Sequence, residues 1–374
     1  MVILGSTGSI GVNTLEIAKK YQLEVETLIA GKNIALLNTQ IQEHKPKRVV
    51  IADKSDKDKI NFKGKIYFGK EGILEAIIDS KSELVINALV GFLGLEPTIF
   101  SLQQGKKVAL ANKESLVVAG EFIDTNKIIP IDSEHFSLNY LLNFNASFCP
   151  FRKLLITASG GAFRDLELTE IQKQSAKEAL KHPNWKMGQK ITIDSATMVN
   201  KLFEILEAFW LFKSKNIDAY IEKNSHIHAL VEFFDGSIVA HFANANMQLP
   251  IAYALSFGLD KDFLSDFQNP IIEPLNVVNT QYQLQKISCE RYPLWILKEK
   301  ILENPKLGVI LNAANEVAVY AFLQDKIIFG DIAKIIFRSI ESFANPQYTS
   351  IEELINLDKE VRIYANEFLN TLKI

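Results

Sequence analysis

Apolar positions along the chain fall into two rhythms. Short continuous apolar runs occur at Val2 to Leu4, Val25 to Ile29, Arg48 to Ala52, Leu84 to Ala88, Lys107 to Leu110 and Ile128 to Ile131, with helix-like patterns alternating between them. Short apolar runs bounded by turn residues read as strands, and their alternation with amphipathic helices predicts a parallel α/β sheet. The first run passes directly into Gly5-Ser6-Thr7-Gly8-Ser9-Ile10-Gly11 and then an amphipathic segment to Lys20. That order is strand, glycine turn, helix.

Near Phe151 the texture changes. Ala196 to Phe212 follows a helical pattern, and Ile227 to Phe242 is β-rich on both sides of Asp235-Gly236, a hairpin signal. This middle region therefore reads as α+β with an antiparallel component. From about 260 to 290, Pro270, Pro274 and several Asn and Gln without periodicity suggest a linker. Leu307 to Gln324, Asp331 to Phe343 and Ser350 to Leu372 then read as helices, with Ser350 and Glu353 spaced as a capping box. The expected organisation is α/β: an N-terminal Rossmann-like dinucleotide-binding domain over 1–134, a central α+β catalytic domain over 135–260, a linker over 261–290 and a C-terminal helical domain over 291–374.

Composition narrows the class of function. With 374 residues, 48% hydrophobic and 23% charged, the chain is an ordinary globular protein and neither fibrous nor largely disordered. A formal net charge of −3 without a long basic block leaves no nucleic-acid footprint, so small molecules are the expected partners. No apolar run approaches membrane-spanning length, and the first residues lack a charged n-region and an apolar h-region. Cys149 and Cys289 lie far apart, outside any CxxC or Cys/His ligand spacing, which suits a reducing compartment. A cytoplasmic protein with no membrane or nucleic-acid partner is the expectation.

Three sets of residues carry candidate chemistry. Gly5, Gly8 and Gly11, at the first strand-to-helix turn, leave backbone N–H groups and the positive end of a helix free to cradle a pyrophosphate. The spacing is not GxGxxG, and a purely structural turn is the alternative. The second strand ends in Ala30-Gly31-Lys32-Asn33, with a lysine and no acid where a ribose 2′-hydroxyl would be read. NADP is thus favoured over NAD, although Lys32 could also be a solvated loop residue. Asp132 and Glu134, at i, i+2, are expected on one side of an extended segment. Asn200, Lys201, Glu204 and Glu207 share one face of the Ala196 to Phe212 helix. Carboxylates without Cys or His beside them suit Mg²⁺ or Mn²⁺ better than zinc, while a solvated strand end and a solvated helix face are the plain readings. His226 and His228 alternate on a strand but lack a third ligand of fitting spacing. Ser159-Gly160-Gly161, Ser195, Asn200 and Lys201 form a donor set suited to a phosphate monoester. His182-Pro183-Asn184-Trp185 with Met187-Gly188 has the make-up of a water-excluding lid.

Taken together, GSTGSIG, AGKN, ALANKESLV at Ala109 to Val117, PIDSEH at Pro130 to His135, TASGGAF, KHPNWKMGQKITIDSATMVNK at Lys181 to Lys201 and NAANEVAV at Asn312 to Val319 resemble 1-deoxy-D-xylulose 5-phosphate reductoisomerases over nearly the whole chain. The resemblance implies a homodimeric, NADPH- and metal-dependent enzyme of non-mevalonate isoprenoid synthesis that makes 2-C-methyl-D-erythritol 4-phosphate. By motif, Thr7, Gly8, Ser9, Ile10, Gly31, Lys32, Asn33, Asn112, Glu114 and Gly188 would bind NADPH. Asp132, Glu134 and Glu204 would bind Mg²⁺, Mn²⁺ or Co²⁺. Lys113, Ser133, Glu134, Ser159, His182, Ser195, Asn200, Lys201 and Glu204 would hold the sugar phosphate under a flap, near 182–188, that carries Trp185. Lys113, Asp132, Glu134 and Glu204 would be catalytic. Ala162, Leu202, Tyr253 and Ser225-His226 depart from the family's usual Pro, Gly, His and Gln-Ser. The other readings are a different NADP-dependent dehydrogenase of a phosphorylated metabolite, which would need an activated cysteine in the semialdehyde case, and a non-catalytic NADP sensor.

Overall fold

The computed structural model describes residues 1–145, 149–264 and 270–372. They form two compact units: Met1–Ser115 with Ile123–Phe136 and Asn246–Pro274, and Leu116–Phe122 with Ser137–Ala245 and Leu275–Ile374.

The first unit is built on a parallel sheet of β1 (Val2–Leu4), β2 (Thr27–Ala30), β3 (Arg48–Ile51), β4 (Lys65–Phe68), β5 (Leu84–Asn87), β6 (Lys107–Leu110) and β7 (Ile128–Pro130). Their order is β4-β3-β2-β1-β5-β6-β7. The chain therefore leaves β1 in one direction and returns to its other side at β5, so the carboxyl ends of β1 and β5 flank the crevice where such sheets bind ligands. Val2, Ile3, Leu4, Leu28, Val49, Ile86, Val108 and Ala109 are fully buried, as a sheet covered on both faces requires. β4, at the edge, is the strand that sequence pattern missed. Lys65 is exposed and Ile66 and Phe68 are only partly buried, so the apolar signal is weak.

Helix Gln248–Leu259 belongs to this unit, because Ile251, Ala252 and Leu255 join the core formed by Ile3, Leu28 and Ile86. The compact units thus divide the chain differently from the four-part expectation, which put residues up to 260 in the central domain. Residues 265–269 of the expected linker lie outside the described residues.

The second unit carries a mixed sheet of β8 (Phe151–Ala158), β9 (Ile217–Ile221), β10 (Ile227–Phe233), β11 (Ile238–Phe242) and β12 (Gln285–Lys286), ordered β11-β10-β8-β9-β12. β8 runs parallel to β9 and antiparallel to β10. β10 and β11 form the hairpin foreseen at Asp235-Gly236, where Gly236 takes φ +89°. The helical tail joins the same unit through Leu307–Leu323, Phe329–Ser342 and Ile351–Leu369. The first of these is buried on nearly every side, including Asn312, Asn315 and Glu316. A helix apolar all round is an interior helix, and helix Gln189–Thr197 packs against it. Ser350 caps the last helix by accepting from the Glu353 N–H at 3.2 Å.

The expected helix over Ala196 to Phe212 is two helices, Gln189–Thr197 and Val199–Phe212, broken at Met198 with φ +69°. The Met198 N–H closes the first helix on the Ser195 carbonyl at 3.3 Å. No helix among the described residues is long and apolar enough to cross a membrane.

Candidate active site

At the end of β1 the chain turns through Gly5, which takes φ +85°, into helix Ser9–Lys20. Only glycine fits at two points. A Cβ on Gly5 would stand 2.8 Å from the Ala88 carbonyl oxygen, and one on Gly11 would stand 2.4 Å from the Gly5 carbonyl oxygen. The helix N-cap is Gly8, with no side-chain cap, and Gly8 and Ser9 are exposed. Orphan N–H groups at an uncapped helix start are the chemistry a pyrophosphate needs, so the loop fits a dinucleotide. After β2, Gly31 and Lys32 are exposed, and Asn33 caps helix Ile34–His44 by accepting from the Leu36 N–H.

In the same unit, Asp132 and Glu134 do not lie on an extended segment as the i, i+2 reading expects. β7 stops at Pro130 and helix Ser133–Asn145 starts at Ser133. Asp132 precedes that helix, its Oδ1 accepting from the Glu134 N–H at 3.2 Å, and Glu134 sits in the first turn. A carboxylate just before a helix satisfies its orphan N–H groups and faces its positive end. Lys113 Nζ donates to Asp132 Oδ2 at 2.7 Å, and the two side chains are 7% and 11% exposed. His135 Nδ1 lies 3.0 Å from Asp132 Oδ1, and Ser133 Oγ donates to Glu134 Oε2 at 2.7 Å. Asn112 Nδ2 donates to Glu114 Oε2 at 3.2 Å. Acids of this hardness, with no thiolate among them, fit a divalent cation that takes oxygen ligands.

In the second unit, His182 gathers residues far apart in sequence. Its Nε2 lies 2.9 Å from Ser159 Oγ and 3.3 Å from Ser195 Oγ, while Nδ1 accepts the N–H groups of Asn184 and Trp185 at 3.2 and 2.9 Å. An Nδ1 that accepts leaves the proton on Nε2, which therefore donates to the hydroxyls. Burial, with help from the Arg164 guanidinium, lowers the His182 pKa to about 4. The Ser159 hydroxyl also accepts from the Gly161 N–H at 3.2 Å. Gly160 and Gly161 take φ +90° and +69°, turning the chain sharply beneath that hydroxyl.

On helix Val199–Phe212, Asn200 Nδ2 donates to Glu204 Oε1 and Lys201 Nζ donates to Glu204 Oε2. Lys201, Glu204 and Glu207 are 3%, 2% and 1% exposed, so this polar face is interior and not a solvated one. Leu202 is fully buried on the same helix.

The 182–188 segment is tied down at Asn184, whose Nδ2 donates to the Lys223 carbonyl and to Ser225 Oγ at 2.7 and 2.6 Å. The Trp185 ring meets His228 edge-on at 6.2 Å. Two contributors escaped sequence reasoning. Arg164 Nη1 donates to the Ser159 and Lys223 carbonyls at 2.9 and 2.7 Å, and Ser225 Oγ accepts from Asn184. Neither stands in a spacing that announces a role. His228 Nε2 faces the Ala243 carbonyl at 3.2 Å.

The His182 shift has a testable consequence. A folded-state pKa depressed from 6.5 to about 4 contributes stability that is complete above pH 6.5 and is lost as pH falls toward 4. The melting temperature of the unmodified protein is therefore expected to fall more steeply between those values than that of His182→Gln. Parallel melting curves across that window would contradict the assignment.

Family comparisons bear on these features directly. Models described as 1-deoxy-D-xylulose 5-phosphate reductoisomerase, the reductoisomerase C-terminal domain and a further DXP reductoisomerase C-terminal domain match residues 1–120, 128–212 and 242–364. A curated reductoisomerase from Wolinella succinogenes is 55% identical over 370 residues, covering 98% of this chain and 100% of that protein. The chain belongs to the 1-deoxy-D-xylulose 5-phosphate reductoisomerase family. A family member from Helicobacter pylori is 54% identical over 97% of this chain and 98% of its own length. A reductoisomerase solved with NADPH, fosmidomycin and magnesium superposes with TM-score 0.87 at 32% identity, covering 99% of this chain and 98% of that one. The Zymomonas mobilis reductoisomerase solved with NADPH gives 0.86 at 33%, covering 99% of both.

Proposed function

We propose that this protein converts 1-deoxy-D-xylulose 5-phosphate to 2-C-methyl-D-erythritol 4-phosphate, an isomerisation followed by an NADPH-dependent reduction, in non-mevalonate isoprenoid synthesis. The observation that carries the reading is 55% identity to a reductoisomerase across 98% of the chain. The glycine cradle and the buried donor clusters support it.

When bound, a divalent metal supplies a Lewis acid for the ketone and its neighbouring hydroxyl, and NADPH supplies hydride. Asp132, Glu134 and Glu204 are the metal's ligands in this reading, with Mg²⁺, Mn²⁺ or Co²⁺ as candidates. Lys113, held by Asp132, directs an ammonium at developing oxyanion charge. Ser159, His182, Ser195, Asn200 and Lys201 bind the phosphate and Ser133 the sugar. A neutral His182 donates from Nε2 without adding charge that substrate release must overcome. Binding energy from the phosphate is available to close the 182–188 flap, with Trp185 excluding water. Thr7, Gly8, Ser9, Ile10, Gly31, Lys32, Asn33, Asn112, Glu114 and Gly188 hold the cofactor, Lys32 reading the 2′-phosphate.

The enzyme works as a homodimer in this reading. Phe234, Ile238 and Phe242, on and beside edge strand β11, are 68%, 57% and 42% exposed, and an apolar edge of this kind, unpaired among the described residues, suits a second copy. Free Cys149 and Cys289 agree with a cytoplasmic setting. The proposal is tested by offering 1-deoxy-D-xylulose 5-phosphate and Mg²⁺ with NADPH or NADH. NADPH should be oxidised about tenfold faster or more, and equal rates would remove Lys32 from its role.

A further inference from the structure

A chain of buried polar side chains runs beneath the loop that follows β5. Asn87 ends β5 and Asn112 lies just past β6; they are 0% and 1% exposed. Asn87 Nδ2 donates to the Gly94 carbonyl at 2.8 Å and to Thr98 Oγ1 at 2.7 Å, while its Oδ1 accepts from the Leu89 N–H at 3.2 Å. Asn112 Nδ2 donates to the Leu89 and Gly91 carbonyls at 2.8 and 2.9 Å. Ser115 Oγ donates to Asn112 Oδ1 at 2.5 Å and lies 3.0 Å from Thr98 Oγ1. Two amides from neighbouring strands thus hold the 88–94 loop at backbone groups of Leu89, Gly91 and Gly94, and two hydroxyls join the amides to each other.

The fit is close. A Cβ on Gly94 would stand 2.4 Å from Asn112 Cγ, so only glycine lets this amide dock. The loop packs backbone to backbone against the glycine turn, since the Ala88 carbonyl oxygen lies 2.8 Å from where a Gly5 Cβ would be. It also presents Val90 and Leu93, 62% and 43% exposed, beside the crevice between β1 and β5. An apolar shelf fixed by interior hydrogen bonds is a preformed wall, and a wall already ordered costs a ligand nothing to order.

Resting on the NADPH reading above, we propose that Asn87, Thr98 and Ser115 are positioning residues for the cofactor. They touch no ligand; through Asn112 and the 88–94 loop they hold one wall of the dinucleotide cradle in its binding shape. Valine has the shape of threonine, so Thr98→Val keeps the packing and removes the hydroxyl that accepts from Asn87, donates to the Gly94 carbonyl at 2.9 Å and meets Ser115 Oγ.

The test measures NADPH dissociation constants by nucleotide fluorescence on the full-length protein without substrate. Thr98→Val should weaken NADPH about tenfold, as expected for a broken buried hydrogen bond with its partners orphaned. Its KM for 1-deoxy-D-xylulose 5-phosphate at saturating NADPH should stay within about twofold, and Thr98→Ser should restore the affinity. A purely structural role would lower the melting temperature and leave NADPH affinity where it was, and that result overturns the proposal. Ser115→Ala cuts the next link and gives the same readout should Thr98→Val fail to fold; unchanged affinity there overturns the proposal equally. An unmodified protein that does not bind NADPH overturns the cofactor reading and this inference with it. Tight binding by the unmodified protein and by both variants overturns the inference alone.

Discussion

Glu204→Gln is expected to lower kcat/KM by about three orders of magnitude, since removing a carboxylate from a catalytic cation forfeits roughly 4 kcal/mol of transition-state stabilisation and each 1.36 kcal/mol is tenfold. The substitution keeps the side-chain volume and one carbonyl oxygen, so one of the two hydrogen bonds from Asn200 and Lys201, which go to different Glu204 oxygens, can persist while the other donor meets the amide NH2. It removes one carboxylate charge from beside the Lys201 ammonium, 3% exposed, and some loss of melting temperature should accompany the loss of rate. Two readouts separate these effects. Raising the metal concentration should recover part of the activity if Glu204 is a ligand, and NADPH affinity should be unaffected because the nucleotide cradle belongs to other residues. Turnover within about threefold of the unmodified protein would remove Glu204 from the ligand set.

Lys113→Gln should reduce kcat by about 10²- to 10³-fold, the usual cost of deleting one preorganised donor to developing negative charge. Its ammonium is 2.7 Å from Asp132 Oδ2 and almost wholly shielded from water. The pair therefore acts in a medium where charge interactions are strong. Glutamine can still donate one hydrogen bond to Asp132 but carries no charge toward the substrate. The expected signature is a fall in kcat with little change in the NADPH dissociation constant. A variant defective only in metal affinity would instead show that Lys113 serves to set the Asp132 carboxylate.

Much of the first unit was legible because buried parallel strands write themselves as apolar runs. Six expected strands lie within a residue or two of their observed bounds, and the one missed, Lys65–Phe68, is an edge strand with an exposed residue at its start. The glycine turn was legible for a related reason: Gly5 and Gly11 stand where no Cβ fits, and such positions leave a fixed spacing. Local geometry was harder to read. Asp132 and Glu134 were expected on an extended segment, whereas Asp132 closes the start of a helix immediately after Pro130. The break at Met198 left no sequence mark, because the left-handed conformation there is taken by a residue type that rarely adopts it.

Periodicity could show that Lys201, Glu204 and Glu207 share a face but not that the face is interior, since what covers a helix is a property of distant segments. The pairing of His182 with Ser159 and Ser195 has the same cause, since it joins side chains 23 and 13 positions apart. Family resemblance, and not spacing, brought those residues together on the sequence.

The most direct test of the account is to incubate the protein with 1-deoxy-D-xylulose 5-phosphate, NADPH and Mg²⁺, with and without a chelator, and to identify the product by mass spectrometry while following nicotinamide absorbance. The account predicts 2-C-methyl-D-erythritol 4-phosphate formed in step with NADPH oxidised, and neither when the metal is removed. Demonstrable NADPH binding with no product in the presence of metal, or product formation indifferent to the chelator, would contradict it.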